Sequence, residues 1–77
     1  MMKSLTLKEE HGNIQSVLIP KSWGMDKSID WLVDNDLTFK SVVITNKFLR
    51  FRQFQPDPLR SYYQKKLLNG VSLIIMV

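Results

Sequence analysis

Apolar and polar residues alternate most tellingly in residues 41–54, S-V-V-I-T-N-K-F-L-R-F-R-Q-F. Apolar runs flank Asn46-Lys47, and asparagine tolerates the positive φ of a tight two-residue hairpin turn. Such a turn sets Thr45 opposite Phe48, Ile44 opposite Leu49, Val43 opposite Arg50, Val42 opposite Phe51 and Ser41 opposite Arg52. Side chains alternate across a strand, so one face carries Val42, Ile44, Leu49 and Phe51 and is expected to enter the core. The other carries Val43, Phe48, Arg50 and Arg52, with Phe54 at its end. That basic face over apolar ground is the best candidate for a working surface.

The same reading places a first strand at residues 14–20, I-Q-S-V-L-I-P, ended by a proline that has no N–H for a ladder. Residues 25–35 read as the one helix, capped by Ser22 or Gly24, with Asp26 in a first turn that favours an anion. Trp31, Ser28, Leu32, Met25, Ile29 and Val33 cover an arc of about 200° on it, wide enough to lie across a sheet. Trp31, at the edge of that arc, reads as a flap over the core. Prolines 56 and 58 make an irregular loop. Residues 61–68 and 71–77 then flank Asn69-Gly70, the strongest two-residue hairpin signal in the chain. That turn sets Leu67 opposite Ser72, Lys65 opposite Ile74 and Tyr63 opposite Met76. The last run is apolar on both faces and uncharged, so either it lies inside the sheet or its second face meets a partner.

Charge changes the picture more than composition does. The chain has 77 residues and a formal net charge of +4. Residues 1–38 carry −2 of this and residues 39–77 carry +6. The basic charge thus falls on the expected strands and points to an anionic partner, although edge strands also use lysine and arginine to discourage pairing. Cysteine is absent, which removes disulfides and thiolate sites. The N-terminal residues lack the apolar stretch of a signal peptide, and residues 71–77 fall far short of the roughly 20 that a membrane span needs. The chain reads as soluble and intracellular.

Catalytic chemistry has little to work with. His11 is the only histidine, and Glu9-Glu10-His11 lacks the second histidine and the geometry of a metal site. A calcium loop starting at Asp34 would put Phe39 and Thr45 where glycine and glutamate are required. Asp30 and Asp34 share the solvent side of the helix. No Gly-rich phosphate loop or nucleophile–base pair is present. Neither a cofactor nor a metal is expected, and the protein is not expected to be an enzyme. Arg50 and Arg52 differ in kind: on one strand face they stand about 7 Å apart, near the spacing of successive phosphates. Each guanidinium can grip phosphate or carboxylate in a bidentate fashion. Alternatively they pair with Asp34, Asp36 or Asp57. Arg50, Arg52 and Phe48, with Lys65 and Lys66, are the candidate partner-binding residues.

Val17-Leu18-Ile19-Pro20-Lys21, Trp31-Leu32, Thr45-Asn46-Lys47, Arg50-Phe51-Arg52-Gln53-Phe54 with Pro56, Tyr63, Lys65-Lys66 and Leu68-Asn69-Gly70-Val71 together carry a resemblance. In them the chain resembles a small, largely uncharacterised domain of tailed phages and large DNA viruses. It departs from that pattern on the helix, which carries Ser28 before Trp31-Leu32, and Asp34 and Asp36 after it where the pattern is basic. The resemblance implies a viral or prophage origin, sometimes near head assembly, and no defined activity. The expected fold is α+β in the order β-α-β-β-β-β: an antiparallel sheet with one helix on one face, in a single domain of residues 1–77 with 1–12 peripheral. The expected function is that of a viral or phage accessory domain binding another protein through its sheet, be it a second copy, a virion component or a host factor. A small basic nucleic-acid-binding module is the alternative.

Overall fold

Ile14–Pro20 (β1) carries apolar residues at neighbouring positions and no charge, which suits a strand covered on both faces. It is the middle strand of the sheet. The computed structural model describes residues 11–77; Glu9 and Glu10 lie outside them. After β1 come the helix Gly24–Asp34 (α1), then strands Val42–Ile44 (β2), Phe48–Arg52 (β3), Tyr62–Lys66 (β4) and Ser72–Met76 (β5). The order in the sheet is β2-β3-β1-β5-β4, antiparallel throughout. The fold is thus α+β with the expected element order, and β5 lies inside the sheet.

A bulge at Gln15 breaks the register of β1 on β5, where Ile14 pairs with Ile75 but Ser16 with Ile74. The extra residue brings Ile14 round to the same side as Val17 and Ile19. These join Leu49, Phe51, Val71, Leu73 and Ile75 from the sheet, and Leu32 and Leu37 from the helix side, in one buried cluster.

Pro20 ends β1, and a single 3-10 turn, Lys21–Trp23, leads to α1. Neither expected residue caps the helix. Trp23 is the N-cap, without a side-chain hydrogen bond, and Gly24 at φ 78° makes the bend between the two helical pieces. At the other end Leu37 N–H donates to Leu32 O (2.8 Å) and Asp36 N–H to Val33 O (3.1 Å). This is a Schellman closure, with Asp36 at φ 57° where glycine is usual and Leu32 and Leu37 both buried. The covered stripe is narrower than the pattern implied. Ser28 and Leu32 are buried, Ile29 and Trp31 are partly so, and Met25 and Val33 are exposed. Trp23 and Trp31 pack against the margin of the core.

The first hairpin has the expected register, Val42 opposite Phe51, Val43 opposite Arg50 and Ile44 opposite Leu49. Its turn is closed differently. Asn46 is not at positive φ; instead the Thr45 hydroxyl takes the Phe48 N–H at 3.0 Å, beside the Thr45 N–H to Phe48 O bond of 2.8 Å. The expected core face holds only for β3. Leu49 and Phe51 are buried, whereas Val42 is 37% and Ile44 60% exposed, because β2 is the edge strand and the helix does not cover it.

The second hairpin departs by one residue. Leu67 N–H donates to Val71 O (2.8 Å) and Gly70 N–H to Leu67 O (3.2 Å), with Gly70 at φ 94°. The loop therefore has three residues, a turn followed by a left-handed glycine. Lys65 stands opposite Leu73 and Tyr63 opposite Ile75, not opposite Ile74 and Met76. A slip of one turns every β4 side chain to the other face.

Gln53 ties the segment after the helix to the end of β3. Its side-chain amide donates to Thr38 O and accepts from Thr38 N–H, both at 2.9 Å.

Two predictions follow from this packing. Phe51→Ala should cost about 3–5 kcal/mol, whereas Ile44→Ala, facing solvent, should cost less than about 0.5 kcal/mol; similar losses in denaturant titrations would put β2 inside the core. Gln53→Leu strands both main-chain groups of Thr38 and should cost about 1–3 kcal/mol, and an unchanged unfolding midpoint would show the clamp to be idle.

Candidate functional site

All five strands together contain no aspartate or glutamate. The described carboxylates belong to α1 and the segment just after it, or, as Asp57, to a loop. One sheet face is covered by α1, and among the described residues no helix lies on the other. That uncovered face can be read row by row from the pairing. One row runs Val43, Arg50, Leu18, Ser72, Lys66, and the next Arg52, Ser16, Ile74, Gln64. Phe48 opposite Pro20 closes one end, and Met76 opposite Tyr62 the other.

Arg50, Arg52, Phe48 and Lys66 therefore share this face, as expected. Lys65 does not: paired with Leu73, it belongs to the helix-covered side and is half-buried. The cause is the three-residue loop after β4. Arg50 and Arg52 stand on adjacent rows of β3. Lys66 lies three strands from Arg50, about 14 Å at the backbone. Between them lie half-buried Leu18 and buried Ser72, with half-buried Ile74 in the next row, so the face is apolar in the middle and basic along β3 and at Lys66. Phe54 follows the end of β3 and lies beyond the ladder.

A buried polar chain underlies the arginines. Arg50 Nε donates to Ser16 Oγ (3.3 Å), and Ser16 Oγ donates to Gln15 Oε1 (2.7 Å). Gln15 Nε2 then donates to Phe54 O (2.7 Å), while Gln15 O accepts from Gln53 N–H (2.7 Å). Gln15 and Ser16 are almost wholly buried, so each needs these partners. The bulge makes this possible by setting the two side chains together on the uncovered side. Arg50 is thus partly a structural residue, and its Nε partner is a hydroxyl rather than Asp34, Asp36 or Asp57. Asp57 instead accepts from Leu59 N–H at 2.9 Å in its own loop. Replacing Arg50 therefore removes a partner of the buried Ser16 hydroxyl. Arg52 differs: its Nε is buried with no hydrogen-bond partner.

Sequence reasoning missed Gln15 and Ser16. The available signal was a Gln-Ser pair inside an otherwise apolar strand, where an amide and a hydroxyl must find partners. Among the described residues no group of three or more histidines, cysteines or acids is placed to hold a metal, and no helix is long and apolar enough to cross a membrane.

The two arginines should respond oppositely to replacement by an apolar isostere. Arg52→Met removes an unpartnered buried Nε and should leave stability unchanged or raise it by up to about 1 kcal/mol, whereas Arg50→Met should lower it by about 0.5–1.5 kcal/mol. Chemical denaturation of the pair checks this, and the reverse order would make Arg52 the anchor. Compared with known proteins, the chain matches no family model, no curated protein and no solved structure.

Proposed function

We propose that the domain is a non-enzymatic binding module that takes an acidic protein surface onto the uncovered face of its sheet. One observation carries this reading: that face presents Arg50, Arg52 and Lys66 around half-buried Leu18 and Ile74, with no carboxylate from any described strand. An apolar centre with a charged surround is the usual anatomy of a protein interface. Its basic rim selects an acidic partner and steers the approach. The resemblance to small domains of tailed phages and large DNA viruses supports an accessory or virion-associated role, in the host cytoplasm or the virion, with a virion component, a host factor or a second copy as partner.

A second reading has its own observation. Phe48, Arg50 and Arg52 share one face of β3, the arrangement in which sheet-based single-strand binders stack bases and grip phosphates. Under it the domain is a small nucleic-acid-binding module.

Display selection of random peptides on the folded domain tests the first reading. The enriched peptides should combine Asp or Glu with apolar residues. They should lose about tenfold or more in affinity for an Arg52→Gln, Lys66→Glu variant that remains folded. Equal affinity for that variant would remove the face from consideration. A labelled oligothymidylate whose affinity falls steeply and linearly in log–log salt plots, while no acidic peptide is enriched, would favour the second reading.

A further inference from the structure

We propose that the free edge of β2 takes up an extended segment of another protein, an apolar stretch flanked by carboxylates, as an added strand. The hydrogen bonds of the first hairpin show which groups are free. Thr45 N–H donates to Phe48 O and Arg52 N–H to Ser41 O, with Val43 opposite Arg50 between them. Inward and outward pairs alternate along an antiparallel ladder. The N–H and C=O of Val42 and Ile44 therefore point away from β3. Among the described residues β2 ends the strand order, and Val42, Val43 and Ile44 are 37%, 48% and 60% exposed.

The two sheet edges are not alike. On β4 the outward groups belong to Tyr62, Gln64 and Lys66, as the Leu67–Val71 and Val77–Ser61 bonds show. A lysine-bearing, polar edge is the ordinary protection against strand addition. β2 has none within it. Its one restraint is length, since only three residues are in the strand. Main-chain pairing to Val42 and Ile44 is weak on its own, so the flanks must supply the rest. Those flanks are the exposed Lys40 and Lys47, and no carboxylate occurs in sequence between Asp36 and Asp57. Charge complementarity thus asks for acidic residues at both ends of the added strand, whose apolar centre covers Val42, Val43 and Ile44. A second copy fits worse. Two-fold pairing about Val43 would set Lys40 opposite Asn46 of the other copy and beside its Lys47, lining one seam with like charge. Strand addition at a sheet edge is an established mode of peptide capture.

A fluorescein-labelled peptide with valines and isoleucine between terminal glutamates is the probe, read by anisotropy against the wild-type chain. Saturable binding is expected, with the Val42 and Ile44 amide resonances moving on titration. Ile44→Pro removes an outward donor at an edge that tolerates proline, and should weaken binding about tenfold or more at an unchanged melting temperature. N-methylation of the peptide's own inward donors should do the same, and this arm needs no variant of the protein. Lysine in place of the glutamates should abolish binding. Absence of saturable binding would overturn the proposal, as would equal affinity for folded Ile44→Pro or for the N-methylated peptide. So would self-association in sedimentation equilibrium that Ile44→Pro removes while no peptide binds, which assigns the edge to a second copy. The Arg52→Gln, Lys66→Glu variant should bind the peptide normally, so failure at the edge and failure at the uncovered face remain distinguishable.

Discussion

The bulge at Gln15 is the constraint on which the rest of the sheet depends. β1 must serve two partners, β3 and β5, and two faces. Strict alternation would send Ile14 to the side opposite Val17 and Ile19. One extra residue corrects that parity, so the core receives all three. The same residue puts a buried amide beside a buried hydroxyl, and both must be satisfied. Phe54 O accepts from the amide and Arg50 Nε donates to the hydroxyl, while Gln53 N–H donates to the main-chain carbonyl of Gln15. Gln53 in turn holds Thr38, fixing the path from the helix into β2. Core, central strand and basic face are thus joined through one irregularity.

Charge segregation follows from the layer arrangement. Among the described residues the acids other than Asp57 gather on α1 and just after it, and the strands carry none. The described strands thus carry no acid to offset the arginines and lysines. A partner bringing carboxylates supplies the missing sign, and this asymmetry supports the proposed reading more than any single residue does.

Most of the fold was legible in the sequence, because local signals decided it. Pro20 ended β1, the apolar arc marked the helix, and the spacing around Asn46-Lys47 set a register that the structure reproduces pair for pair. Where reading failed, a second local solution competed. Around Asn69-Gly70 two-residue and three-residue loops are both compatible with the letters. The choice rests on a hydrogen bond from Leu67 to Val71, and it moves Lys65 out of the basic patch. Val42 and Ile44 look like core by alternation, but burial depends on strand order, and no local pattern shows that the helix stops short of β2. Gln15 was missed because a bulge is defined against a partner strand.

The arginines of β3 have two explanations, and the structure separates them by residue. A sheet with one helix must dress its second face without leaving it greasy, and long arginine stems lie over small residues such as Ser16 while keeping charge near water. For Arg50 that account suffices, because its Nε also meets the acceptor that the buried chain offers. For Arg52 it does not. Its Nε is buried and unpartnered, which costs stability, and methionine would cover the same ground without that cost. Lys66, exposed at the far edge, covers little. Cover alone therefore accounts for one of the basic residues of this face and leaves two whose charge the fold does not use, and it is those two that an acidic partner would engage.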